Sequence, residues 1–313
     1  MEAVIKLQNV RKRFNGFEVK DLSFEVKKGF VTGFVGANGM GKSTTIKLIM
    51  NLLKPDSGEV SVFGLNYKTH EREIKQRIGF VYDEHVFYEN LTLKEMKKII
   101  QPTYEKWDDA LFNQYVNEFQ LPLNKKLKTF SKGMQMKASI AIALSHHADL
   151  IIMDEPTSGL DPVFRRELLS LLRDIVQDSE KTIFFSTHIT SDLDRIADYI
   201  VLIHEGALVF AQEFYRIEEQ YVLVKGGLDL LDTDTKKAFI AIQQTPYGFE
   251  ALSADKQAVI EQFGDLAIYE PATLEDILYY TKKGVRTSST YFHLLQVRFF
   301  NIIIYTSYCF WNI

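Results

Sequence analysis

Nine consecutive residues, Gly36-Ala37-Asn38-Gly39-Met40-Gly41-Lys42-Ser43-Thr44, constrain this chain more than any other stretch. They match G-x-x-x-x-G-K-[ST] and lie between an apolar strand-like segment, 30–35, and an amphipathic stretch from Ser43 to Leu53. Glycines let successive backbone N–H groups turn inward as an anion nest, and the helix that follows adds its positive end. The amides from Gly36 through Asn38, Gly39 and Gly41 to Thr44 are therefore read as a phosphate cradle. Lys42 would neutralise β- and γ-phosphates, and the Ser43 hydroxyl would ligate Mg²⁺. A glycine-rich turn with an incidental lysine is the plainer reading, and the strand–loop–helix setting weighs against it.

Leu150-Ile151-Ile152-Met153-Asp154-Glu155-Pro156 is an apolar strand that empties into two adjacent acids. The carboxyl end of a strand in a parallel sheet faces the ligand crevice. Asp154 can then reach Mg²⁺ and Glu155 can polarise an attacking water. Ser131-Lys132-Gly133-Met134 opens the helical run 136–144. Ser131 and Gly133 there make either a second anion site or a plain helix N-cap. Strand-like runs at 4–7, 22–26, 30–35, 59–63, 150–153 and 182–186 alternate with helical ones at 43–53, 69–77, 92–147 and 163–178. That alternation predicts an α/β fold with a parallel sheet.

The composition removes several classes. A net charge of −4 gives no basic field for nucleic acid. The lone cysteine, Cys309, excludes an internal disulfide framework and suits a reducing compartment. The first residues carry an acid and no apolar core of a secretory signal. No stretch up to residue 284 approaches the roughly 18 apolar residues of a membrane helix, so any membrane crossing falls to another chain.

Taken together and in order, these segments resemble one family, the ATPase subunits of ABC transporters. The run around Lys42 is similar to its Walker A motif, and Ile152 to Pro156 to Walker B with the catalytic glutamate, Glu155. Ser131-Lys132-Gly133-Met134 resembles the signature in the form seen among bacterial exporter ATPases. Ser158-Gly159-Leu160-Asp161 is similar to the D-loop, and Ser186-Thr187-His188 to the H-loop histidine. Phe14, before Asn15-Gly16, resembles the ring that stacks on adenine.

The resemblance implies a P-loop NTPase core of ABC type over residues 1–213. It has an antiparallel N-terminal β part, a helical subdomain at about 85–150 and a small C-terminal α/β appendage at 214–284. It implies ATP and Mg²⁺ as ligands, a second nucleotide-binding domain (identical or not) and a separate membrane-spanning permease. ATP would lie between Lys42 of one domain and Ser131 and Gly133 of the other, with Asp161 at that interface and His188 on the γ-phosphate. The expected location is cytoplasmic, on the inner face of the membrane through the permease.

Asp83 stands where the family usually has a glutamine that contacts Mg²⁺ and communicates with the permease, and it is read as a metal-side group that tunes coupling. Residues 244–252 and 270–277 are similar to the C-terminal part of exporter ATPases for bacitracin and phenol-soluble modulins, which makes peptide export the favoured cargo class. The acid-free, aromatic tail, 285–313, departs from the family and receives no role. Two other readings remain: a non-transport ABC ATPase, against which stands the single motif set, and an ATP sensor without hydrolysis, against which stand Glu155 and His188.

Overall fold

The computed structural model describes residues 2–82, 88–179 and 181–287, without the side chains of 178, 179 and 285–287. Asp83 and the tail beyond 287 lie outside the described residues. The chain divides into two units, Met1–Glu213 and Phe214 onward.

In the first unit β1 (Ala3–Phe14) and β2 (Phe17–Lys27) form an antiparallel hairpin closed by Asn15-Gly16. Then come β3 (Val31–Val35), α1 (Lys42–Ile49), β4 (Ser57–Val62), β5 (Leu65–Asn66), α2 (Tyr67–Gln76) and β6 (Ile78–Val81). Helices α3 (Leu93–Ile100), α4 (Asp109–Glu118) and α5 (Lys132–Leu144) follow. The unit is completed by β7 (Leu150–Asp154), α6 (Pro162–Ser179), β8 (Thr182–Thr187), α7 (Thr190–Ile196), β9 (Tyr199–His204) and β10 (Ala207–Glu213). One sheet holds all ten strands in the order β5-β4-β1-β2-β10-β9-β3-β8-β7-β6.

The sheet changes character along its width. From β9 through β3, β8 and β7 to β6 every pairing is parallel, whereas β5, β4, β1 and β2 pair antiparallel. β3 and β8 are buried at every position, as strands covered on both faces must be. Phe34 stacks on Phe184 at 5.3 Å and lies 5.9 Å from Phe24, so the aromatic core joins the two halves.

Between β6 and β7 the helices enclose a core of their own, built on Leu93, Phe112, Val116, Leu127 and Phe130. Thr92 and Glu95 form a reciprocal capping box at the start of α3, and the Asp108 carboxylate caps α4. The sequence reading of 92–147 as mostly helical becomes three helices separated by short 3₁₀ turns. It also placed no element at 199–213, where β9 and β10 lie. The strand-like run at 4–7 extends to Phe14 as β1, which pairs with both β2 and β4 and whose continuation is hidden by Gln8-Asn9 and the charged 11–13 run.

The second unit comprises α8 (Phe214–Gln220), β11 (Val222–Gly226), β12 (Ala241–Thr245), β13 (Gly248–Ser253), α9 (Lys256–Phe263), β14 (Ile268–Pro271) and α10 (Leu274–Thr287). Its four strands are antiparallel in the order β12-β13-β11-β14, over a core that includes Val224, Phe239, Phe249, Ala251, Val259 and Phe263. No helix among the described residues is long and apolar enough to cross a membrane.

Candidate functional site

The phosphate loop leaves the carboxyl end of β3 and enters α1. Two of its glycines are dictated by space. A Cβ at Gly36 would lie 2.8 Å from the Ile203 carbonyl oxygen. At Gly41, φ is +105° and a Cβ would meet the Phe17 ring at 2.8 Å. Met40 fastens the loop from outside: its carbonyl accepts from Gly206 N at 3.1 Å and its Sδ from Glu205 N at 3.1 Å.

Lys42 is 5% exposed and its ammonium is fully engaged. Nζ donates to the Gly36 carbonyl at 2.7 Å and lies 3.1 Å from Glu155 Oε1. A buried charge is tolerated only when paired and hydrogen-bonded, and this one is.

The two acids leave the end of β7. β8 is paired in parallel beside it, with Asp154 in register with Ser186. The Ser186 hydroxyl, wholly buried, donates to Asp154 Oδ1 at 2.6 Å and accepts from Glu155 N at 3.1 Å. Glu155 itself has φ 49°, a left-handed conformation that costs a non-glycine residue roughly 1–3 kcal/mol. Its Oε2 meets His188 Nδ1 at 2.7 Å. One carboxylate thus sits between an ammonium and an imidazole. Burial, and secondarily the Asp154 carboxylate, push the nearby Tyr82 hydroxyl above its usual range.

These groups open on a cavity of about 430 Å³ lined by Phe17, Asn38, Lys42, Ser43, Glu155 and His188, with Gly39, Gly41 and Thr44 also in its wall. A larger hollow of about 780 Å³ lies at the amino end of β3, beside Phe30, Arg173 and Arg195, and has no such convergence of groups.

The structure therefore brings together Gly36, Asn38, Gly39, Gly41, Lys42, Ser43, Thr44, Asp154, Glu155 and His188. The other expected residues stand elsewhere. Phe14 is 40% exposed at the end of β1, outside the cavity wall, with the Lys12 ammonium 6.0 Å from its ring. Ser131 Oγ accepts from Met134 N at 3.2 Å and so caps α5, while Gly133 packs under the Phe164 ring. Asp161 Oδ1 accepts from Val163 N and Phe164 N at the start of α6.

Two site residues escaped the sequence reading. Phe17 lies three residues past Phe14, beyond the turn, and only the hairpin register shows which ring faces Gly41. Ser186 was counted as part of a strand, and its role appears only once β7 and β8 are paired.

His146 follows α5 and is only 1% exposed. Its ring stacks on Tyr104 at 3.8 Å, Nε2 donates to the Ile78 carbonyl, and burial lowers its pKa to about 4.

The sequence profile of the ABC transporter family matches residues 19–158. The bacitracin transport ATP-binding protein BcrA of Bacillus licheniformis is 34% identical over 249 residues, spanning 78% of this chain and 80% of that protein. This chain belongs to the ABC transporter ATP-binding family. The ABC transporter ATP-binding protein YtrB of Bacillus subtilis (strain 168) is 30% identical over 227 residues, covering 72% of this chain and 77% of that one. A solved ATP-binding subunit of an ABC transporter superposes with a TM-score of 0.63 at 29% identity, covering 69% of this chain and 92% of that chain. The fold is the α/β P-loop NTPase fold of that family. The chain is an ATP-hydrolysing subunit that powers a separate permease, and subunits of this kind work in pairs.

Proposed function

We propose that this subunit hydrolyses Mg-ATP in the cleft between Lys42, Glu155 and His188 and that the energy drives export of peptide antibiotics or similar amphipathic peptides. The single observation that carries the chemistry is the Glu155 carboxylate, held 3.1 Å from the phosphate-loop ammonium and 2.7 Å from an imidazole. A proton acceptor, a phosphate-binding cation and a second polar group meet at one place. The cargo class rests on the likeness to BcrA, a bacitracin transport protein.

The arrangement has a direct chemical use. The loop amides and Lys42 bind phosphate oxygens, and Lys42 must exchange Glu155 for phosphate as it does so. Glu155, released from the ammonium, accepts the proton of the attacking water, while His188 holds its second oxygen and contacts the γ-phosphate. The donor set beside the loop suits magnesium: the Ser43 hydroxyl, and the Asp154 carboxylate, which the Ser186 hydroxyl fixes through Oδ1. When bound there, Mg²⁺ neutralises phosphate charge. Ser131 and Gly133 of a second such domain would close over the nucleotide, with Phe14 against adenine and Asp161 at the interface. Through the permease the subunit would sit on the inner face of the membrane, and Asp83 would tune that coupling.

Phosphate release from Mg-ATP by the purified chain, with and without a chelator, tests the chemistry. Bacitracin tolerance of a sensitive host carrying the subunit with its permease tests the cargo. Turnover undiminished by chelation would refute the metal assignment, and turnover without any gain in tolerance would refute the cargo.

A further inference from the structure

Thr157, Arg165, Ser191 and Asp192 form a second polar cluster, and none of them is among the residues that line the cleft. Asp192, in the first turn of α7, is 1% exposed, yet both carboxylate oxygens are used by different elements. Oδ2 accepts from Thr157 Oγ1 at 2.6 Å and Oδ1 from Arg165 Nε at 2.5 Å. Arg165 also reaches Ser191 Oγ at 3.1 Å from its other nitrogen. Thr157, itself 1% exposed, lies two residues past Glu155. Arg165 lies in the opening turn of α6, where its backbone N–H donates to the Asp161 carbonyl. Asp192 follows His188 by four residues.

One buried carboxylate thus pins three pieces of chain: the start of the loop after Glu155, the helix that ends that loop, and the helix that begins after His188. Glu155 needs such support. Its left-handed backbone persists only if the surroundings over-determine it, and its side chain must hold a 2.7 Å contact to a histidine on a separate segment.

We propose that Asp192, with Thr157 and Arg165, is a positioning clamp that sets the distance between Glu155 and His188. This rests on Glu155 being the proton acceptor. The clamp contributes nothing to binding the phosphates. Its loss therefore appears in the rate of the chemical step, where a displacement of about 1 Å costs about 10²-fold.

The test uses the full chain and single-turnover hydrolysis, which reads very slow rates. Asp192→Ala removes both tethers and should lower kcat by about 10²-fold, with ATP affinity within a few-fold of the parent. Asp192→Asn should restore most of the rate, because its amide oxygen can accept from Arg165 while its nitrogen donates to the Thr157 hydroxyl. In a Glu155→Gln background Asp192→Ala should add little, since the group it positions no longer takes a proton. Equal fractional losses in both backgrounds would overturn the clamp and leave a purely structural role. Should Asp192→Ala fail to fold, Thr157→Val removes one tether alone, and an unchanged kcat in that variant overturns the proposal. Glu155→Gln turning over at the parent rate sinks the base assignment and the clamp with it. Glu155→Gln inactive, with equal Asp192→Ala losses, sinks the clamp alone.

Discussion

The carboxyl edge of the parallel strands and the small sheet of the second unit bury opposite kinds of side chain. At the edge, Lys42, Thr157, Ser186 and Asp192 are each 5% exposed or less, and every one holds a polar partner. In the second unit Val224, Phe249, Ala251 and Val259 are equally buried, with Ser253 and Thr281 the polar exceptions among the described residues. Polar burial costs desolvation and is kept where directed contacts are needed, whereas apolar burial supplies stability without direction. Changes at the edge should therefore act on rate, and changes in the second unit on stability.

The largest effect that could break this contrast is at Glu155. Glu155→Gln keeps the shape of the cleft and removes the proton acceptor, so hydrolysis should fall about 10²–10⁴-fold while nucleotide still binds. The ATP-bound pair of subunits should then accumulate in size-exclusion chromatography. Lys42→Ala should do the reverse, losing nucleotide and with it the pair. A variant that loses binding and hydrolysis together at Glu155 would show that the edge is a scaffold rather than a reaction centre.

The second unit supplies the opposite arm. Phe239 stacks on Phe263 and packs against Phe249, both with ring centroids 5.7 Å away. Phe239→Ala should destabilise that unit by about 3–5 kcal/mol, the usual cost of truncating a buried aromatic ring. Phosphate release should persist below the new melting transition. Loss of turnover in the still-folded variant would erase the distinction between the two regions.

Much of the edge was legible before any fold was known, because its chemistry is local. The phosphate loop needs glycines and a lysine at fixed spacing, and Asp154-Glu155 need only an apolar strand before them. What escaped depends on pairing between distant segments. Ser186 acts because β8 lies beside β7, and Asp192 because α7 packs against the loop at Thr157, 35 residues away. The stretch of β1 that runs to Phe14 was hidden by its polar and charged residues, since positions 8–14 are mostly exposed and lose the alternation that marks a strand. The core of the second unit carries no chemical spacing at all, so only its class could be anticipated.

His146 tests whether polar burial alone implies chemistry. It is buried, away from the cleft, with its pKa lowered to about 4 by desolvation. A histidine held neutral in the fold stabilises it fully above the unfolded value near 6.5. That stability is lost as pH falls towards 4, because the unfolded chain takes up the proton first. The contribution is up to roughly 3 kcal/mol across that window. Melting curves between pH 7.5 and 4.5 should show the decline, and His146→Phe should flatten it while lowering stability at neutral pH through the lost bond to Ile78. An unchanged pH slope in His146→Phe would assign the decline to other groups.

The finest discrimination comes from Ser186, which is buried like a core residue yet touches both acids. Ser186→Ala deletes one oxygen and leaves the β7–β8 pairing and the Glu155 N–H bond to the residue 186 carbonyl in place. Asp154 loses the donor that fixes its carboxylate plane, and Glu155 loses one of two acceptors for its N–H. Removing an outer partner of a metal-holding carboxylate typically costs about 10–100-fold in affinity or activity. Turnover should therefore drop within that range, and the Mg²⁺ concentration for half-maximal rate should rise, with melting shifted only slightly. Titration of Mg²⁺ at saturating ATP separates the two parts of this effect. A parallel Thr182→Val change, at the far end of the same strand, removes another buried hydroxyl, one that accepts from Gly29 N at 3.0 Å. If Thr182→Val raised the Mg²⁺ requirement as Ser186→Ala does, position along β8 would not matter, and the edge would lose its special standing. If only Ser186→Ala raises it, the hydroxyl at the carboxyl end of the strand belongs to the reaction centre and the one at the amino end to the scaffold.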